Sequence, residues 1–214
     1  MRGPRKDRAL ETVRKVDDNR FSYADYLQWH DNERRELIDG TPMLMSPAPN
    51  RIHQTVLRRI ASRIEGFLQD RPCELFFAPF DVRLEPLPIP NDQSFHVVQP
   101  DILVVCDPSK LDDHGCNGPP DWVIEIVSPS TASRDHIVKR QLYERFGVLE
   151  YWIAQPMDQI VLVYHLGNDG EYGKPDVYSS EDVVTVGILP ELKIDLGEVF
   201  YRRGDGREAM GYGR

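Results

Sequence analysis

Asp101, Glu125 and Lys139 are the residues whose types and spacing could do chemistry. They lie in the stretch from Gln99 to Trp152, which reads QPDILVV, a turn-rich loop, then PPDWVIEIVSPSTASRDHIVKRQLYERFGVLEYW. Two carboxylates close together can grip one divalent cation, and an ammonium beside them can orient an attacking water or stabilise charge developing on phosphorus. Such a set would hydrolyse phosphodiesters.

Those residues have to be positioned by two strands and a helix. Side chains alternate along a strand, so Asp101, Leu103 and Val105 share one side, while Ile102, Val104 and Cys106 take the other. Asp121, Val123, Glu125 and Val127 likewise share a face, opposite the wholly apolar Trp122, Ile124 and Ile126. If the two strands pair antiparallel about a centre near Asp113, Asp101 lies across from Glu125, at a strand spacing of about 4.8 Å. Asp121 is a poorer partner for Glu125, because four residues of strand separate them by roughly 13 Å. After Pro119 and Pro120 it reads as the residue that begins the strand. Ser128 to Ser133 offers capping hydroxyls, and a helix then runs to Gly147. On a 100° wheel Val138, Lys139, Leu142, Tyr143 and Phe146 fall on one arc. A lysine in an apolar stripe must snorkel, bear a desolvation cost or meet buried negative charge. The carboxylate pair would supply that charge.

This run resembles the PD-(D/E)XK nuclease superfamily, and within it the Uma-type family of restriction endonucleases. The resemblance is carried by Pro100-Asp101, Pro120-Asp121 leading to Glu125, the turn from Ile126 to Ser130, Arg134-Asp135 with Lys139 and Tyr143, and Gly147-Val148 with Glu150-Tyr151-Trp152. It extends from about Phe21 to Phe200, and so many spaced matches are specific where a lone P-D would not be. The superfamily lysine normally stands two residues after the glutamate, where this chain has Val127. In the Uma-type branch it is placed on the following helix, which makes Lys139 the candidate. The resemblance implies a restriction-endonuclease-like fold and a metal-dependent endonuclease acting on DNA. Asp101 and Glu125 would ligate Mg²⁺ or Mn²⁺, with the carbonyl of Ile126 as a further ligand. Two second-rank residues match as well: Glu36, before an Asp-Gly turn, and His53, near the start of the first long helix. By residue type alone Glu36 is a solvated strand glutamate, and His53 a hydrogen-bonded core residue. As functional groups, Glu36 would approach the metal, and His53 would contact phosphate or hold Glu36. Such nucleases often act as homodimers, so a homodimer is expected. The alternative from another class is a nucleic-acid-binding or assembly module that kept the fold and lost turnover.

The rest of the chain frames this unit. Composition is that of a globular protein, with 40% hydrophobic and 29% charged residues. No run reaches membrane-spanning length and Met1 to Lys15 has no hydrophobic signal core, so a cytoplasmic location is expected. The formal net charge of −9 argues against a general nucleic-acid coat protein, although a polyanionic substrate needs only a local basic face. Arg2, Arg5, Lys6, Arg8, Arg14 and Lys15 crowd a flexible arm over residues 1–20. Arg51, Arg58, Arg59 and Arg63 lie on or beside the first long helix; the first three are the substrate-binding candidates, with a plain solvated surface as the other reading. Cys73, Cys106 and Cys116 make no even framework, so reduced thiols are expected. Cys106, His114 and Cys116 lack the fourth ligand and close spacing of a zinc site.

The expected fold is a single α/β or α+β domain over residues 21–201, a mixed, curved sheet flanked by helices, with residues 202–214 a disordered tail. Ser22 caps a short helix from Tyr23 to about His30, and two short strands flank Asp39-Gly40. Asn50 to Asp70 is a helix whose buried stripe is Ile52, Val56, Ile60, Ile64 and Leu68, widened by Leu57, Ala61 and Phe67. His53 lies inside that stripe. Cys73 to Leu84 reads as strand, with Asp81 facing either the site or solvent, and Glu85 to Ser94 is a proline-rich loop. Further strands are expected at Glu150 to Ala154, Gln159 to Leu166, Val177 to Val186 and Leu192 to Leu196.

Overall fold

The structure, a computed structural model, describes residues 20–31, 33–46, 48–85, 89–129 and 131–200. The expected N-terminal arm and C-terminal tail lie outside these residues. In chain order the first elements are α1 (Tyr23–Tyr26), β1 (Arg35–Ile38), β2 (Thr41–Leu44), α2 (Arg51–Leu68), β3 (Glu74–Phe77), β4 (Val82–Arg83), β5 (Val97–Val98) and β6 (Ile102–Val105). Then follow β7 (Leu111–Asp112), β8 (Gly115–Asn117), β9 (Trp122–Ile126), α3 (Arg140–Phe146), β10 (Glu150–Gln155), β11 (Ile160–His165), β12 (Asp176–Ser179), β13 (Val183–Thr185), β14 (Lys193–Asp195) and α4 (Leu196–Phe200). The fold is α+β, as expected, but its strands divide between two six-stranded mixed sheets and a separate β13–β14 pair.

The central sheet has the order β12-β11-β10-β9-β6-β3. Its middle pair, β9 and β10, is parallel and the other neighbours are antiparallel. A parallel pair requires a crossover, and the helical segment ending in α3 supplies it. The apolar positions of β6 and β9 sort as their alternation predicts. Ile102, Val104, Trp122, Ile124 and Ile126 pack with the buried stripe of α2, whereas Leu103, Val105 and Val123 pack with Leu142 and Tyr143 of α3. The second sheet, β2-β1-β5-β4-β8-β7, covers that second face through Val82, Val98 and Cys116.

Several boundaries differ from the sequence reading, each for a local reason. The capping box between Ser22 and Asp25 forms, but α1 spans only Tyr23–Tyr26 and stops short of His30. In α2, Asn50 caps by accepting from the His53 N–H. Ile52 is 44% exposed, and the buried face instead begins at His53. Strict spacing by four drifts off a helix of 3.6 residues per turn, so the outermost member of the series leaves the core. The run from Cys73 to Leu84 divides around Ala78-Pro79 into β3 of the central sheet and β4 of the second. Val177 to Val186 likewise divides into β12 and β13. Between β6 and β9 the chain is no simple hairpin, because β7 and β8 join the second sheet.

The expectation of reduced thiols is corrected at two positions. Cys73 and Cys106 form a disulfide. The register pairs Glu74 with Val105, so the residues immediately outside β3 and β6 face each other across the ladder. Cys116 is free and buried, and its thiol donates to the Gly118 carbonyl. With Cys106 bonded and Cys116 so placed, no zinc set with His114 remains. Among the described residues, no helix is long and apolar enough to cross a membrane.

Ile60 is fully buried where α2 meets the central sheet. Ile60→Ala is expected to lower the unfolding free energy by about 2–5 kcal/mol, read from urea denaturation. A loss under about 1 kcal/mol would mean that α2 does not hold this core.

Candidate active site

The register between β6 and β9 pairs Ile102 with Ile124, Leu103 with Val123 and Val104 with Trp122. Continued by one residue it sets Asp101 against Glu125, the pairing expected for antiparallel strands centred near Asp113. Side-chain bonds extend the ladder past its last backbone pair. The Ile126 N–H donates to Asp101 Oδ2 at 2.8 Å, and the Asp101 N–H lies 3.4 Å from Glu125 Oε2. Asp121 sits at the far end of β9, where it accepts from the Cys106 N–H, away from the other acids.

Lys139 reaches this pair from the helix. Residues Arg134–Lys139 form a wide π-type turn that runs directly into α3, where an ordinary α-helix was expected. Its wider winding is seen in the Arg140 N–H, which donates to the Asp135 carbonyl five residues back. Gly147 closes α3 in the left-handed conformation, at φ 82°, where glycine bears no Cβ penalty. The Lys139 ammonium donates to Glu125 Oε1 at 2.8 Å and contacts Glu36 Oε1 at 2.9 Å. Tyr143, one turn further along, donates its hydroxyl to the same Glu125 oxygen at 2.8 Å.

Glu36 is fully buried rather than solvated, and its Oε1 also accepts from the Gln99 N–H. Its other oxygen, Oε2, is buried without a hydrogen-bond partner among the described residues; Arg134 lies 3.8 Å from it. His53 holds Asp101 and not Glu36: its Nε2 lies 3.1 Å from Asp101 Oδ2, and Nδ1 is buried without a partner among the described residues. Asp81 faces neither the site nor open solvent alone, since it accepts from Tyr23 and Gln99 behind the site.

These groups line a cavity of about 430 Å³ between the start of α2, β1, the ends of β6 and β9, and the turn before α3. Asp135, quoted in the motif but not singled out from sequence, also lines it and is buried. It lies one helical turn before Lys139, a spacing that could have drawn attention to it. Gln99 was missed as well. It connects Glu36 to Arg34 and Asp81 through three separate groups, a role that a lone glutamine does not advertise in sequence.

The electrostatics follow from burying Glu36, Glu125 and Asp135 around one ammonium. Burial works against the charge on Lys139, yet Glu125, Glu36 and Asp135 together hold its pKa above the ordinary lysine value. Burial also raises the Glu125 pKa; Lys139 offsets part of this, and the charges of Asp135, Asp101 and Glu36 add to the rise. Asp135 is raised by burial too, with Lys139 and a Thr131 hydrogen bond opposing. Tyr143 stays a donor, because burial and the Glu125 charge push its hydroxyl well above the usual tyrosine range.

The cavity gathers the carboxylates of Glu36, Asp101, Glu125 and Asp135 beside Lys139, Arg34, Arg134 and His53, and its acidic oxygens fit a hard divalent cation. The buried, unpartnered Glu36 Oε2 is a further acceptor without a donor. Among the described residues no three acidic, histidine or cysteine side chains already form a complete metal cluster. Asp101, Glu125 and the Ile126 carbonyl are the groups that could hold a divalent ion there, with water completing its coordination.

Of the three arginine candidates, Arg51 and Arg58 are exposed on α2. Arg59 is tied to the fold, donating to the Val199 carbonyl at 2.8 Å, and Arg63 pairs with Glu198 of α4.

Two mixed sheets, a long helix against one face and a strand-borne acid pair met by a helix-borne lysine define a nuclease-like α+β protein. A solved structure from Anabaena variabilis ATCC 29413, described as a putative nuclease belonging to DUF820, shares this fold with a TM-score of 0.66. The alignment covers 84% of this chain and 97% of that one at 20% identity. The family model Uma2, described as "Putative restriction endonuclease", matches residues 23–197, and the chain belongs to that family. It is also 27% identical over 156 residues to the uncharacterized protein slr1290 of Synechocystis sp. (strain ATCC 27184 / PCC 6803 / Kazusa), covering 72% of this chain and 78% of that protein.

Removing the ammonium leaves two buried carboxylates facing each other. Lys139→Met is expected to cost about 3–5 kcal/mol in urea denaturation, and adding Glu36→Gln and Glu125→Gln to recover most of it. Equal instability of the single and triple variants would show that the charge triad is not what Lys139 satisfies.

Proposed function

We propose that the protein is a metal-dependent endonuclease that hydrolyses phosphodiester bonds in DNA by one-step attack of water on phosphorus. The observation that carries this reading is the position of Glu125, which lies across the ladder from Asp101 and 2.8 Å from the Lys139 ammonium. Family membership supports a nuclease, and the excess of acidic oxygen supports a divalent ion, Mg²⁺ or Mn²⁺. An ion held there would neutralise charge on the scissile phosphate and make its bound water easier to deprotonate.

The side chains divide the remaining work. Asp101 and Glu125 present oxygens toward the ion, and His53 fixes the rotamer of Asp101. Lys139 uses two of its three donors on Glu125 and Glu36, which leaves one for the attacking water or a phosphate oxygen. Its raised pKa keeps it an ammonium, so it acts as a donor and stabilises charge. Glu36 holds that ammonium in place, and the charge of Asp135 adds to its attraction. A homodimer would supply two such centres for the two strands of a duplex, and Arg51 and Arg58 would meet phosphates beside the cavity.

Glu125→Gln and Asp101→Asn are expected to lose at least a hundredfold in metal-dependent cleavage of plasmid DNA while unfolding within about 2 kcal/mol of wild type. Wild-type turnover in either folded variant would defeat the assignment. Calorimetric titration of Mn²⁺ gives a second reading. Site-dependent heat that disappears in Asp101→Asn supports the enzyme, and its absence from the wild type supports a nucleic-acid-binding module without turnover.

The same carboxylates predict a pH effect. Glu125 and Asp135 have raised folded pKa values, so ionising them costs stability as pH rises above the ordinary carboxylate range. A divalent ion binds the ionised form and relieves that cost. The melting-temperature gain from added Mn²⁺ is therefore expected to be larger at pH 8 than at pH 6, with protons released on binding. A gain independent of pH would place the ion elsewhere.

A further inference from the structure

A second groove opens beside the catalytic cavity, between the exposed side of α2 and β3, which is the edge strand of the central sheet. Gln54 and Leu57 line both spaces, so the two are adjacent. At the junction the chain passes from Phe77, in the groove, to Ala78, in the cavity. Phe77 is a large aromatic residue left 41% exposed. Above it, Arg51 and Arg58 stand seven residues apart on the exposed side of α2, about 10 Å along the axis. Among the described residues neither is in an ion pair, unlike Arg63. Glu65 ends the same line of residues and would turn a polyanion away, so the cationic half of the groove is the half nearest the cavity.

A chain of phosphates with flat faces fits this pattern: guanidinium groups along one wall and an open aromatic ring on the other. Resting on the nuclease reading above, we infer that the groove is a subsite for unpaired nucleotides that flank the scissile phosphate. A base would stack on Phe77 while its backbone follows Arg58 and Arg51 toward Asp101. The strand must be unpaired there, because the bases of a duplex are already stacked on one another and have no face to offer the ring.

The test uses the full chain, EDTA to prevent cleavage, and fluorescence anisotropy with a labelled single-stranded oligonucleotide. Phe77→Leu is expected to weaken binding by about five- to a hundredfold, while Phe77→Trp retains it. Rescue by an aromatic but not an aliphatic side chain separates stacking from a merely structural role. Arg58→Ser is expected to weaken binding uniformly across sequences and to reduce the salt slope by about 0.7. Neither Phe77 variant is expected to change affinity for a blunt duplex of the same sequence. Wild-type affinity of Phe77→Leu and Arg58→Ser for the single strand would overturn the inference, as would equal losses on single strand and duplex. Cleavage is read separately. An inactive protein whose binding still depends on Phe77 would count against the nuclease reading and not against the groove.

Discussion

The structure depends on the ammonium of Lys139 lying between the carboxylates of Glu36 and Glu125 with almost no solvent access. Charges removed from water are costly unless each is matched, and here three elements distant in sequence must cooperate to match them. Glu36 comes from β1 of the second sheet, Glu125 from the centre of the main sheet, and Lys139 from the turn that leads into α3. The triad thereby joins two sheets and a helix at one point. It also explains why the Tyr143 hydroxyl and the Gln99 backbone N–H are directed inward, since each donates to a carboxylate oxygen that Lys139 alone does not saturate.

The surrounding architecture serves to hold that point rigid. α2 covers one face of the central sheet and delivers His53 to Asp101; α3 and the second sheet cover the other face and deliver Lys139 and Glu36 to Glu125. Asp101, at the boundary between these faces, is more exposed than Glu125, with side-chain exposures of 22% and 5%. A ligand therefore meets Asp101 first and the paired acid behind it. Burial and the neighbouring acids raise the pKa of that inner acid, and the Lys139 ammonium opposes them.

The arginines of α2 are deployed unevenly, and the distribution is set by packing. Arg59 and Arg63 face α4 and are spent on it, whereas Arg51 and Arg58 face outward toward the groove that ends at the cavity. A negative overall charge is compatible with the proposed nuclease, because only a short cationic line would need to meet phosphate.

By itself the amino-acid sequence determined the alternating faces of β6 and β9 and the placement of Lys139 in an apolar stripe. These are periodic, local properties, and a spacing of two or 3.6 residues is visible without coordinates. The start of the long helix near Asn50 and the helix end at Gly147 were legible from local signals as well. Only the tertiary structure decided that Glu36 is buried against Lys139, that His53 serves Asp101, and that Asp135 belongs to the cavity, since each pairing joins elements whose separation along the chain carries no periodic signal. The division of the strands between two sheets and the Cys73–Cys106 bond were decided there as well. Both follow from which strand lies beside which, and side-chain alternation within a strand is indifferent to its neighbour.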